Sequence, residues 1–492
     1  MAELRVAQRA IGIIGAGIAG PVFALQMLSH PTLRSLYKVT LFDQGSDPYT
    51  LSDTERMQTA GAAVGMSPNG IYPLYQLGLK EDIEKISTEI VGVSTWRAAY
   101  GPDSKPFQRV KDTVPGPHKL ISRAEYASWS EDLQTNMRAM ERRQLRAVLL
   151  DRIKSLGGDI SWGKRLHALE ALPDGSIKAL FDDHHERTLD LVVGADGGWS
   201  RVRQHIILQQ NHSASTTAAA AARWAPPYSN ASNVYGIATH APLQPGRDDT
   251  HGILLPRGLL STSPLPANHI RWDLMVPEPA DAPPHDVPAP VSPAADEEEP
   301  WQAAIAPGPY PRARTAALLR RHAAVFHPSA RTFGRLLARS TRIVHAPLRQ
   351  RVWTRSEIQG GGNGVVVGDA ARLMLPSSGS GAAFAVEDGS VLAAAILNNP
   401  PRGERGGFQE ALGRYAAARV GRGEKMRARA DVYAKVVLGA RWWWRVVREG
   451  VVLLAAAAAA AGGQGCGTGA RARKDVKQFP FDLRVDVRLE KE

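Results

Sequence analysis

The chain has 492 residues, 43% hydrophobic and 22% charged, a globular composition long enough for more than one domain, which excludes a disordered or fibrous chain. Its only cysteine, Cys466, excludes an internal disulfide and any multi-cysteine metal site and suits a reducing, cytoplasmic setting. A formal charge of +12 fits an anionic nucleotide ligand as well as it fits a merely solvated basic surface, and no nucleic-acid partner is expected.

Residues 1–9 lead straight into an apolar run, so no leader peptide is expected. Ile11, Ile13 and Ile14 predict a strand, and residues 21–28 a helix with Pro21 in its first turn, where a missing N–H costs little. Between them lies a GxGxxG pattern. Gly15 suits a tight turn, Gly17 a close backbone approach to a pyrophosphate, and Gly20 close packing of helix on strand. A second strand over residues 37–42 ends at Asp43, whose carboxylate is placed to accept ribose hydroxyls. Residues 61–70, beginning Gly61-Ala62, form a small-residue segment leading into a helix that ends near Gly78.

Residues 140–145 open another helix, with Leu145, Val148, Leu149 and Ile153 on one face. Arg142 at its start is open to two readings, a phosphate or ribose ligand or a solvated side chain. A buried strand over 191–193 then runs into a glycine-rich turn carrying Asp196, Ser200, Arg201 and Arg203. Residues 213–222 are low-complexity Ser/Thr/Ala, and the runs 233–239, 252–255 and 269–276 alternate as strands between Pro/Gly turns. Residues 277–311 hold eleven prolines and the acidic run 296–299, which predicts a mobile surface insertion whose deletion should shift stability little.

Downstream, a strand at 365–367 delivers Gly368-Asp369, and a glycine-rich loop containing Gly379, Gly381 and Ala382 begins a helix with Glu387 and Asp388. The 14 histidines have no metal-ligand spacing, and no metal site is expected. The longest uncharged apolar run, 451–461, is too short to span a bilayer, for which about 20 residues are needed. Trp442-Trp443-Trp444, between Arg441 and Arg445, either packs on the body of the protein or touches a membrane interface.

The three glycine-and-acid segments, in this order, resemble the FAD-dependent aromatic hydroxylases, the single-component flavin monooxygenases that include salicylate and para-hydroxybenzoate hydroxylases. The resemblance runs from Ile11 to about Arg422 and takes in the 61–68 loop and the R-x-x-L helix start at Arg142. It implies an α/β fold: a Rossmann-like FAD-binding domain (1–80, 140–208 and 345–400), an inserted antiparallel substrate sheet (81–139 and 209–344) and a helical C-terminal region (401–492). It implies FAD held by Gly15, Gly17, Gly20, Asp43, Gly61, Ala62, Arg142, Asp196, Gly368, Asp369, Gly381 and Ala382. NADPH or NADH would be a transient electron donor, since no second dinucleotide unit is present. The implied reaction is hydroxylation or epoxidation by O2, through a flavin hydroperoxide, of an aromatic or polyketide-like molecule of secondary metabolism. Tyr235 is the candidate to bond or deprotonate a phenolic substrate, and Arg201 to attract an anionic one; packing and solvation are the competing readings.

Four positions depart from the family pattern. Arg372 stands for the usual histidine after Gly-Asp-Ala-Ala, Ser380 and Ala383 for the usual glutamine and asparagine, and Asp43 for the more frequent glutamate. Arg372 and Ser380 keep open a reductase or oxidase that inserts no oxygen; a binding protein that has only kept the nucleotide fold is a further alternative, against which the intact Gly15, Gly17, Gly20, Asp196 and Asp369 argue.

Overall fold

The computed structural model describes residues 8–52, 55, 61, 63–98, 118–125, 129–130, 135–210, 223–239, 249–278, 299–376, 379–401, 406–439, 441–448 and 450–451. The first core forms around a five-stranded sheet in the order Gly364–Val366, Leu191–Gly194, Arg9–Ile14, Tyr37–Phe42, Asp159–Ser161, all parallel. Ile11, Ile13, Leu191, Val192, Val193, Val365 and Val366 are fully buried, the continuous apolar content of strands covered on both faces. Helices Ala19–Ser29, Arg142–Ser155 and Gly381–Asn398 add Phe23, Leu145, Leu149 and Ile396 to the same core. Chain connectivity reverses direction on either side of Arg9–Ile14, so the end of that strand is the switch point at which open α/β sheets bind ligands.

The first turn is tight for steric reasons. Gly15 has φ +109° and donates its N–H to the Phe42 carbonyl at 2.7 Å. A Cβ on Gly20 would stand 2.1 Å from the Gly15 carbonyl oxygen and 3.1 Å from Ile13 Cγ2. Gly20→Ala should therefore force helix and strand apart and cost about 1–3 kcal/mol, readable in urea unfolding. A loss below a few tenths of that would mean the helix start adjusts freely.

The second core lies on a seven-stranded sheet in the order Ser340–Arg349, Tyr228–Ala238, His269–Pro277, Gly258–Leu265, Asp249–Leu255, Gly92–Arg97, Lys119–Glu125. The sheet is mixed, where an antiparallel one was expected: Asp249–Leu255 pairs parallel with Gly92–Arg97. These two strands are far apart in the chain, and only such a long connection permits parallel pairing. The 277–311 expectation also needs correction. Residues 279–298 lie outside the described residues, but Trp301, Ile305 and Tyr310 on the far flank are buried. Glu278 on the near flank accepts hydrogen bonds from Tyr228 (2.6 Å), Tyr310 (2.7 Å) and Ser232 (3.0 Å). Deleting the whole span would remove core, so its two flanks are structural.

Met140 and Glu141 end a strand, Arg138–Glu141, rather than opening the helix, which starts at Arg142. Among the described residues one helix, Gly381–Asn398, is long and apolar enough to cross a bilayer, and 78% of it is buried in protein. The 30-residue helix Gln409–Leu438 crosses its outer side and closes the first core with Leu412 and Tyr415.

Candidate functional site

Three distant turns meet at the end of Arg9–Ile14. Ala195 donates its N–H to the Ile14 carbonyl at 2.7 Å, which brings Asp196 beside Gly15; a Cβ on Gly15 would lie 3.1 Å from the Asp196 nitrogen. Val367 donates to the Gly194 carbonyl at 2.9 Å, and Gly368, at φ +62°, abuts Ala19 in the first helix. Gly15, Asp196 and Asp369 thus belong to one region, because adjacent parallel strands deliver all three turns at the same edge of the sheet.

Arg142 occupies the middle of that region. Its guanidinium lies 3.5 Å from where a Cβ on Gly17 would stand and 3.0 Å from the equivalent point on Gly61, and it acts electrostatically on both Asp369 and Tyr235. Asp369 is exposed to solvent, with neighbouring protein packed closely around it. Burial pushes its carboxyl up, and Arg142 and Arg372 pull it back. Asp196 accepts from Arg201 N (2.7 Å) and Val202 N (3.3 Å) with Oδ2, while Oδ1 is buried without a hydrogen-bond partner. Burial raises the Asp196 carboxyl as well, against those backbone donors and Ser200.

Asp43 already has partners. Its Oδ2 accepts from Ala16 N (2.7 Å), its Oδ1 from Gly45 N (2.8 Å), and Arg146 stands 3.6 Å from it. Arg146 also bonds the Ala16 carbonyl at 2.6 Å and lies over the Trp162 ring. Sequence reading missed Arg146, although it sits one turn beyond Arg142 on the same helix face, which was the available signal. Gly381 has open space above it and begins its helix with no side-chain cap hydrogen bond. Ala62 lies outside the described residues.

These features fit a dinucleotide such as FAD. A buried carboxylate oxygen lacks a partner, a second carboxylate is exposed to solvent, and a glycine turn and an uncapped helix start are bare of side chains. Among the described residues no cluster of His, Cys, Asp or Glu is placed to hold a metal ion.

Tyr235 is half-buried beside an open pocket lined also by Gly61, Glu141, Arg143, His269 and Arg342. Gly61 lines this pocket and also packs against the Arg142 side chain. Burial raises the Tyr235 phenol, with Arg342 as the largest opposing influence. Glu141 is buried between Arg143 (2.5 Å) and His269 (3.4 Å). Nothing in the local sequence signalled that pair, since 128 positions separate its members. Arg201 is not in the pocket lining: its backbone N–H holds Asp196, and its exposed guanidinium bonds Gln204 on its own helix at 2.9 Å.

Arg203, by contrast, is buried over the Trp353 ring at 3.5 Å and bonds the carbonyls of Ala370 and Gly198, both at 2.6 Å. It ties the 196–203 turn to the 368–371 turn. Arg372 is fully buried and bonds Asp388 Oδ2 at 2.6 Å. Asp388 also accepts from Gly368 N (2.7 Å) and Arg419 Nε (2.6 Å), while Arg419 and Arg422 hold Glu387, which also accepts from Asn69. The departure at Arg372 is therefore part of a buried ion network beneath the 368–370 turn.

A family model described as an FAD binding domain matches residues 9–430. The 3-amino-4-hydroxybenzoate 2-monooxygenase of Streptomyces cremeus is 25% identical over 200 residues, 40% of this chain and 42% of that protein. The chain thus spans about two-fifths of the length of the curated relatives it matches. Klebsiella pneumoniae HpxO, solved with FAD and uric acid, superposes with a TM-score of 0.63 at 18% identity, covering 93% of this chain and 98% of HpxO. Pseudomonas aeruginosa PqsL, solved with 2-aminobenzoylacetate, gives 0.61 at 17% identity, covering 90% of this chain and all of PqsL. Both likenesses establish a shared fold.

Proposed function

Because the chain belongs to the FAD-binding-domain family, we propose that it is an FAD-dependent monooxygenase that uses NAD(P)H and O2 to hydroxylate or epoxidise an aromatic or polyketide-like small molecule. The observation that carries this reading is the meeting of Gly15, Asp196 and Asp369 at one end of the parallel sheet, with Arg142 packed against Gly17 and Gly61 beside them. The relatives' names point the same way, to monooxygenases of small aromatic compounds. In this reading the parallel sheet (1–80, 140–208 and 345–400) is the FAD-binding domain, the mixed sheet (81–139 and 209–344) the substrate domain, and 401–492 a C-terminal region that is helical over Gln409–Leu438 and 442–448, its residues 452–492 lying outside the described ones.

Gly15, Gly17 and Gly20 would admit the pyrophosphate, Asp43 with Arg146 the adenosine side, and Arg142, Asp196, Asp369 and the Gly381–Ala382 helix start the remainder. FAD supplies the electron transfer from NAD(P)H and the reaction with O2. Everything else is done by the chain. A phenol held protonated by burial donates, so Tyr235 orients the substrate by a hydrogen bond rather than removing its proton. His269, 3.4 Å from Glu141, is a second polar group of the pocket available to hold the substrate. Arg201, exposed outside the pocket, offers docking charge for a pyridine nucleotide arriving from solvent. The ground for a non-oxygenating relative weakens, since Arg372 lies in the buried ion network.

The test is aerobic NADPH oxidation with a panel of phenols, aminophenols and natural-product intermediates. A product heavier by one oxygen is expected; oxidation that yields only hydrogen peroxide with every compound would overturn oxygen insertion. Asp369→Ala should leave a folded protein that binds FAD about 10- to 100-fold more weakly, a charge-assisted hydrogen bond being worth about 1.5–3 kcal/mol. Undiminished flavin absorbance after desalting would remove Asp369 from the cofactor site.

A further inference from the structure

The helical residues 442–448 and 450–451 carry their polarity inside out. Arg448 is buried and bonds the carbonyls of Leu255 (2.8 Å) and Val437 (3.1 Å), while Trp442 is 68% exposed and Val451 54%. Trp442, Val446 and the adjacent row Trp443, Val447, Val451 recur at four-residue spacing, so they share one outward face. A helix of a soluble surface has the reverse arrangement. The preceding helix, Gln409–Leu438, ends in the same manner, with Val432 and Tyr433 exposed before the left-handed Gly439 turn. The side chain of Arg445 packs against that turn. The two helix ends thus leave exposed apolar groups on either side of one turn, a concentration that marks an interaction site.

Charge identifies the partner. Residues 424–451 contain seven lysines and arginines against three acids, Glu424, Asp431 and Glu449, and Glu424 is engaged by Arg427 at 2.8 Å. Asp431 is engaged by Lys435 at 2.6 Å, and Lys425, Arg429 and Arg441 are exposed. A second copy of this chain would bring two such cationic rims together, and like charges across an interface oppose association. Exposed tryptophans and valines beside unbalanced cations are complementary to the headgroup level of an anionic bilayer, where indole rings settle and nearby cations strengthen the attraction. We infer that residues 432–433, 442–447 and 451 form a docking face for anionic lipid membranes, which holds the protein at the bilayer surface without spanning it.

The test is flotation of the full chain with vesicles of phosphatidylcholine alone or mixed with phosphatidylserine. Flotation is expected with the mixed vesicles, weakened by salt, with a blue shift of tryptophan emission. Trp442→Ser/Trp443→Ser should bind at least about tenfold less tightly with an unchanged thermal midpoint, since exposed positions contribute little to folding. Lys425→Gln/Arg429→Gln/Arg441→Gln should abolish the preference for phosphatidylserine. Failure of the parent protein to float with phosphatidylserine, or equal flotation of the tryptophan variant, overturns the inference. So does a dimer in light scattering that the tryptophan variant splits while neither protein floats, since the face would then belong to a second copy.

Discussion

Asp388→Asn should destabilise the folded chain by about 3–5 kcal/mol and empty it of flavin, more than any change to the cleft's own side chains. Asp388 is inaccessible to solvent and serves three donors at once: Gly368 N, Arg372 and Arg419. Burial alone would raise its carboxyl, but the two guanidiniums win and hold it below the usual carboxylate range. An asparagine keeps the shape and removes the charge. Arg372, Arg419 and Arg422 are then left facing Glu387 alone, in a site that water cannot reach. The loss passes to the cofactor cleft because Gly368 N is one of the three donors, and the turn it anchors carries Asp369. Urea unfolding and flavin content after desalting measure the two effects. The double variant Asp388→Asn/Arg372→Met should regain part of the loss, because it removes one unmatched guanidinium. A single variant within about 1 kcal/mol of the parent would mean that water or rearrangement neutralises the network.

Acid should weaken the second core well before its carboxylates titrate. Burial, with His251 adding to it, pushes His327 down to about 3; burial, outweighing the pull of Glu278, pushes His345 down to about 4. The geometry gives the cause at His327. Its Nδ1 accepts from Ser329 N (3.2 Å) and Ala330 N (3.0 Å), so a proton there would face two donors. His345 sits between Thr315 (2.9 Å) and Ser232 (3.0 Å), stacked on Tyr310. Both folded pKa values lie below the unfolded 6.5, so the unfolded chain binds more protons between 6.5 and about 4. The stabilisation is complete above 6.5 and is lost as the pH falls toward the folded values. From about pH 7.5 to about pH 5 each histidine should remove about 2 kcal/mol, about 4 together. Glu278, Glu387 and Asp388, held below their ordinary values, add their losses only under more acidic conditions. Unfolding free energy measured at several pH values should fall through this window, and His327→Gln should flatten roughly half of it. A flat profile down to pH 5 would mean that these rings are solvated.

The glycine turns, the strands that feed them and the two acids at 196 and 369 were legible in the sequence, because each is a local property. A positive φ at Gly15, a close approach at Gly20 and an apolar run at residues 191–193 depend on neighbours a few positions away. The flanks of the proline-rich insertion were misread for the opposite reason. Composition describes solvation on average, while the burial of Trp301 and Tyr310 follows from the strands and the carboxylate that happen to meet them.

Which charge answers which was decided by the tertiary structure alone. Arg372 reads in sequence as a defect in a flavin motif, but it turns inward to a carboxylate 16 positions away that also holds Arg419 from another helix. Arg201 and Arg203 are two residues apart, yet one lies in solvent and the other is buried over Trp353. Sequence specifies backbone conformation because torsional and steric limits act within a few residues. The partner of a buried charge is set by whichever strand or helix is packed against it, and only the folded chain brings Glu141 to His269 or Asp388 to three donors.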